Sequence, residues 1–236
     1  MSVWLDQHKP VLFDDLLTSS SVIDALKHLS LQANPPHLLL SGPAGCGKTT
    51  ALQLVCRQVL GPSWRATTHV LQARDLDKTA GAMAKFEAFL RPEGAGSDDT
   101  LAGRTSLDAF DHNISASADA SPPPAGEESI PAAVGTLAAV SRIIIIEDAD
   151  YLGHARQSYL RRMMEESSRS ARFLFTTHTP SRIIEALRSR TQHVRMPSLT
   201  RLMIEQRLET ISQQEGLNPT PGVLGDIAHV ANGNLR

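Results

Sequence analysis

Apolar positions along the chain fall into short blocks separated by polar and glycine-rich turns. Residues 37–41 (HLLLS) form an apolar run that predicts a strand, and a glycine-rich turn follows it. From 49 to 60, Leu52, Val55, Cys56 and Val59 recur at helical spacing. Residues 142–146 (RIIII) are β-branched on both faces, as a strand buried on both sides of a parallel sheet requires, and residues 172–177 (RFLFTT) repeat the pattern. Between them, residues 151–167 read as a helix with Tyr159, Leu160, Met163 and Met164 on its apolar face. Strands alternating with helices predict an α/β fold, a parallel sheet flanked by helices. After Pro197 the pattern becomes helical only, over 200–215 and 221–231. The expected division is an α/β domain over 1–197 and a small helical domain over 198–236.

Composition changes this picture in one place. Of the 45 residues from 91 to 135, 30 are Gly, Ala, Ser, Pro or Asp, and eight acids face only Arg91 and Arg104. With a triple proline and few large apolar residues, this stretch is expected to be a low-complexity insertion and a long surface excursion. Short apolar patches around Phe110 are the one place in it where a docking helix is expected. The insertion carries −6, so the rest of the chain carries +4 against a total of −2. At 41% hydrophobic and 20% charged, the sequence excludes a fully disordered chain. No apolar run approaches the roughly 20 residues of a membrane span. The N-terminal MSVWLDQHKP lacks the order of a secretory signal, and the two cysteines, Cys46 and Cys56, build no disulfide framework. An intracellular, reducing location is expected.

The candidate chemistry begins at residues 42–49, GPAGCGKT, the GxxxxGK[ST] pattern between a strand and a helix. Glycines let backbone N–H groups turn inward around a β-phosphate, and the helix N-terminus adds positive potential. The expected nucleotide-binding residues are Gly42, Pro43, Ala44, Gly45, Cys46, Gly47, Lys48, Thr49 and Thr50. Lys48 would bridge the β- and γ-phosphates of ATP (or meet ADP), and the Thr49 hydroxyl would ligate Mg2+. A chance glycine-rich turn is the alternative. Residues 143–150 (IIIIEDAD) supply acids at the end of a buried strand, where ligands gather in parallel sheets. An Asp there ordinarily orients Mg2+ and a following Glu polarises the attacking water. Here the order is Glu147 then Asp148, so Mg2+ is expected on Thr49, Glu147 and Asp148. A misplacement near 1 Å costs on the order of 100-fold in rate.

With these residues the sequence resembles the small subunits of replication factor C, the sliding-clamp loader of eukaryotes and archaea, within the AAA+ ATPases. The resemblance rests on VWLDQHKPVLFDDLL near the N-terminus, PHLLLSGPAGCGKTT, QSYLRRMMEESSRSARFLF, SRIIEALRSRT and GNLR at 233–236. It implies an AAA+ P-loop domain over 1–197 and a lid domain over 198–236 ending at the sensor 2 motif. His8, Lys9 and Pro10 would cradle the adenine, and Arg236 would reach the nucleotide from the lid. Arg190, in a box reading Ser189, Arg190 and Thr191 where the family has Ser-Arg-Cys, would act in trans on a neighbour's nucleotide. A planar, permanently charged fork suits that role. An ordinary surface pairing with Glu185 or nearby acids is the alternative for Arg190. His178 stands where the family has Asn at sensor 1. The opening MSVW, the inverted carboxylates and EGLNPTP are similar to the family branch with a degenerate Walker B.

The resemblance further implies partners: other clamp-loader subunits in a hetero-oligomeric ring, a sliding clamp, and primer-template DNA held by backbone contacts. The +4 of the compact part is compatible with the last. Arg161 and Arg162 are candidates for DNA or neighbour contact, or for pairing with Glu165 and Glu166 one turn on. The family's helical collar would follow Arg236 and is not in the sequence, so either the chain is cut short or assembly uses other contacts. No membrane and no zinc are expected, since the nine His show no metal-ligand spacing. The expected location is the nucleus in a eukaryote, or the cytoplasm and nucleoid in an archaeon. Two function classes follow: a clamp-loader ATPase subunit converting ATP and water to ADP and phosphate in DNA replication and repair, or a nucleotide-bound adaptor with no turnover that supplies Arg190. A different AAA+ protein, such as a checkpoint or bacterial-type loader subunit, is a third.

Overall fold

The structure, a computed structural model, describes residues 7–76, 81–90, 121–127, 140–166 and 170–235. In chain order its elements are α1 (Ser20–Leu31), β1 (Leu38–Ser41), α2 (Lys48–Leu60), α3 (Trp64–Thr67), β2 (Thr68–Gln72), α4 (Ala73–Leu76), α5 (Ala82–Leu90), β3 (Arg142–Glu147), α6 (His154–Glu166), β4 (Ala171–Thr177), α7 (Glu185–Arg188), β5 (Gln192–Arg195), α8 (Arg201–Gln214) and α9 (Val223–Ala231). The five strands make one parallel sheet in the order β2-β3-β4-β1-β5.

Alternation along each strand explains why both faces are apolar. Leu38, Leu40, Ile143, Ile145 and Leu174 point into one cluster with Leu26, Leu52, Val55 and Phe13. Leu39, Ile144, Ile146, Phe173 and Phe175 point into the other, with Phe86, Leu160, Met164 and Leu187. Residues 143–146 are each 0–1% exposed, so each isoleucine contributes about 1.5–3 kcal/mol of burial. Burial on both sides is what βαβ crossovers impose on a parallel strand.

The predicted strands and helices are present with small shifts at their ends. The helix expected from 151 starts only at His154, because Asp148 is left-handed (φ 52°) and Ala149–Tyr151 form a single 3-10 turn before Gly153. Residues 121–127, within the expected surface excursion, are mostly exposed but docked on the body of the protein. Pro124 is buried, Ala125 packs on the first cluster, and the backbone of this turn is hydrogen-bonded to α2 and to Phe13. The helix expected around Phe110 lies outside the described residues.

Helices α8 and α9 pack on each other beyond the sheet. The Thr200 hydroxyl caps α8 by accepting from Met203 N at 3.3 Å. Leu199, Ile204 and Ala228 form a separate small cluster here, joined by Leu17 from the N-terminal segment and Leu235 from the end of the chain. These contacts bring the segment around Leu17 and the residues up to Leu235 toward the edge of the sheet where β1 delivers its loop. Among the described residues no helix is long and apolar enough to cross a membrane.

Candidate nucleotide-binding site

Strand β1 ends at Ser41, and the chain turns through residues 42–47 before α2 begins at Lys48. Gly47 caps the helix in the left-handed region (φ 90°), which a β-carbon disfavours. Gly45 (φ 73°) is also tightly enclosed: a Cβ there would lie 1.8 Å from Asn234 Oδ1. Leu235 N donates to Gly45 O at 3.2 Å, so Asn234 and Leu235 rest on the loop. The Lys48 ammonium is buried and donates to Gly42 O at 2.9 Å and Pro43 O at 2.7 Å. Its charge is thereby held inside the ring of loop atoms by carbonyl dipoles. Burial pushes the Cys46 thiol above its ordinary range, so it stays protonated within the loop.

The two acids at the end of β3 have different surroundings. Glu147 is buried. Its Oε2 accepts from Gln72 Nε2 at the end of β2, and its Oε1 has no hydrogen-bond partner among the described residues. A carboxylate oxygen without a partner in a buried site is costly unless a cation or donor meets it. Asp148 is engaged twice, by Arg74 Nε at 2.6 Å and by His178 Nε2 at 3.1 Å, the latter an ion pair when the imidazole is protonated. Its left-handed backbone is fixed by a bond from Asp148 N to Thr176 Oγ1 at 3.0 Å. Arg74 in turn lies over the Tyr151 ring at 4.3 Å. His178 is positioned from β4: Asp150 Oδ1 accepts from His178 N at 3.3 Å and from Thr177 Oγ1 at 3.0 Å.

A cleft of about 840 Å3 joins these groups to the N-terminal segment. Residues 44–50, Glu147, Asp148 and His178 line it together with His8, Lys9 and Pro10. Leu16, Ile204, Leu208 and Ile227 add apolar lining. His8 is tied to the helical pair: its Nε2 and Glu215 Oε1 are 2.8 Å apart, and its carbonyl accepts from Arg207 Nη2 at 2.9 Å. The volume lies within the roughly 300–1,000 Å3 of small-molecule sites. Of the residues singled out in the sequence, Gly42 and Pro43 contribute carbonyls beneath the cleft, and Arg236 lies outside the described residues.

Arg190 does not line this cleft. Its Nη2 pairs with Glu165 Oε1 at 2.6 Å and its Nη1 donates to Ala186 O at 2.8 Å. The carboxylate comes from α6 and not from Glu185. Arg161 and Arg162 pair within α6 with Glu165 (3.6 Å) and Glu166 (3.2 Å), as helical spacing dictates. Sequence reasoning missed Gln72, Arg74 and Asn234. Gln72 and Arg74 end a short strand (THVLQ) and open the next turn, and the signal that finds them is that strand's Val-Leu pair ahead of a polar end.

A family model described as "AAA ATPase domain" matches residues 19–176. The chain is 27% identical to the replication factor C small subunit of Natronomonas pharaonis over 99% of its own length and 59% of that protein's. It is 28% identical to the one from Thermofilum pendens over 99% and 59%. With replication factor C subunit 4 of Schizosaccharomyces pombe the identity is 27% over 99% and 56%. The chain thus spans under two thirds of the length of these relatives. Two solved Thermotoga maritima RuvB structures share the fold at 14% identity, with TM-scores of 0.61 and 0.63, covering 96% and 97% of this chain and 61% and 62% of theirs. Because the family match takes in more than half of its length, the chain belongs to the AAA ATPase domain family.

Proposed function

We propose that the chain is an ATP-binding subunit of a DNA sliding-clamp loader, working in a hetero-oligomeric ring with other loader subunits on a sliding clamp and primer-template DNA. One observation carries this reading. A single cleft is lined by the glycine-rich loop after β1, by the acids Glu147 and Asp148 and by His8, Lys9, Pro10 and apolar side chains, in a chain similar over 99% of its length to a replication factor C small subunit. Residues 1–197 would bind the nucleotide and 198–236 would serve as its lid.

The chemistry of the residues supports the assignment. Phosphate oxygens would replace the carbonyls of Gly42 and Pro43 as acceptors for Lys48, exchanging neutral partners for a charge-assisted contact. The Glu147 Oε1 fits a hard cation, so Thr49 and Glu147 would hold Mg2+, with Asp148 beside them. Bound there, Mg2+ would neutralise charge on the β- and γ-phosphates. While Arg74 and His178 engage Asp148, Glu147 is the carboxylate left to face the metal. Asn234 and Leu235 lie on the phosphate loop, which supports Arg236 as a lid contact to the nucleotide. Hydrolysis to ADP and phosphate is the reaction such a site serves.

Arg190 would serve the next subunit. Its bridge to Glu165 is partly exposed and costs only about 1 kcal/mol or less to exchange for a neighbour's phosphate. Arg161 and Arg162 would likewise meet DNA phosphates by leaving Glu165 and Glu166. A replication role places the protein inside the cell, in the nucleus of a eukaryote or the nucleoid of an archaeon. The test is ATP turnover by the reconstituted loader with its clamp and primer-template DNA. Arg190→Ala in this chain is expected to leave its own ATP binding intact and remove the share of turnover made at one neighbouring site, where an arginine finger is worth about 10³-fold or more. An unchanged rate, or no association with loader subunits and clamp, would overturn the proposal.

A further inference from the structure

The 121–127 turn sits in the segment whose composition predicts a solvated excursion, yet it is built into the body of the protein. Gln58, 5% exposed near the end of α2, uses both ends of its amide on it. Its Oε1 accepts from Ala125 N at 2.8 Å and its Nε2 donates to Glu127 O at 2.9 Å. Pro124 O accepts from Phe13 N at 2.9 Å. Arg57, beside Gln58, donates to Val11 O and, at 3.2 Å, to Pro122 O. Residues 11–13 are therefore held from one side by α2 and from another by the turn. That short stretch lies between two groups that line the cleft, His8, Lys9 and Pro10 before it and Leu16 after it.

A buried amide is stabilising only when both of its ends are matched, because an unmatched end loses its hydration and gains nothing in return. The fork on Ala125 and Glu127 thus selects one position for the turn, and the turn selects one position for residues 11–13. The phosphate end of the cleft is built separately. Lys48 stands at the start of α2, roughly 15 Å along the helix from Gln58.

We infer that Gln58 is a positioning residue for the base-side wall of the cleft, acting through the 121–127 turn on residues 11–13 and hence on His8, Lys9, Pro10 and Leu16. The inference rests on the nucleotide-binding reading proposed above. It makes part of the insertion a determinant of how the base is held, and leaves the triphosphate to the loop.

The test titrates the full chain, as wild type, Gln58→Ala and Gln58→Glu, with ATP and with inorganic tripolyphosphate, both in Mg2+. Wild type is expected to bind ATP more tightly than tripolyphosphate. Gln58→Ala should weaken ATP by about 5–10-fold, the worth of roughly one hydrogen bond, and leave tripolyphosphate within about twofold. Gln58→Glu keeps the acceptor for Ala125 N and loses the donor to Glu127 O. It should show the same split at smaller size, and it carries the test if the alanine chain does not fold. ATP unchanged, or both ligands weakened alike, overturns the inference, since a merely structural residue gives no split. A wild-type chain that binds neither ligand overturns the nucleotide-binding reading itself.

Discussion

His37 closes the lower end of β1, its Nδ1 accepting the Phe173 backbone N–H at 3.0 Å and its ring edge against the Phe173 ring at 5.6 Å. Burial, helped by the nearby Arg172 guanidinium, lowers its pKa to about 4. As pH falls, the unfolded chain takes up this proton first, near 6.5. The stability contributed by neutral His37 is therefore full above about pH 6.5 and is lost as pH falls toward 4, up to about 3 kcal/mol. Burial lowers His69 as well, adding a slope of the same sign. Urea midpoints at pH 7 and pH 4.5 should fall less for His37→Gln, whose amide oxygen still accepts, than for wild type. Equal falls would contradict the assignment. At this scale the sequence was informative wherever a residue type has one demanding use, as with Lys48 and Glu147. It was silent on Gln72 and Arg74, whose polar side chains matter only because β2 lies beside β3.

Among the elements, β3 and β4 were legible and β2 and β5 were not, for a physical reason. Residues 143–146 are buried on both faces and must be apolar, whereas β5 (Gln192–Arg195) buries only Val194. What makes β5 a strand is its ladder to β1, including Gln192 N to His37 O at 2.7 Å, and backbone partners leave no trace in side-chain pattern. The docking of 121–127 within the insertion was not legible for the converse reason. Proline and alanine there dock through carbonyls and one N–H, which composition does not register. β3 lies between β2 and β4, so truncation within it is expected to be severe. Ile145→Ala, at a fully buried position, should cost about 2–5 kcal/mol in a urea titration, the usual loss for a core cavity. A loss under about 1 kcal/mol would show that the sheet centre repacks freely.

At the scale of the whole molecule, the cleft is assembled from parts far apart in sequence: His8 at the start, the loop at 42–47, the acids at the end of β3, and Asn234 at the end of the described chain. The part of the cleft formed by residues 44–50 could be read from one local motif, because a strand, a loop and a helix in sequence already form it. The part lined by His8, Lys9 and Pro10 could not be derived from pattern. Its walls meet only when α8 and α9 fold over the N-terminal segment, through Leu17, Ile204 and Leu235, and resemblance alone pointed to His8, Lys9 and Pro10. Arg190 does not line this cleft and is bridged to Glu165. The most direct measurement is equilibrium titration of the full chain with ATP in Mg2+, as wild type and as Lys48→Ala. One saturable site is expected in the wild type, weakened roughly 10–100-fold by the substitution, the worth of one charge-assisted contact. Superimposable isotherms for the two chains, or no saturable uptake by the wild type, would contradict the account.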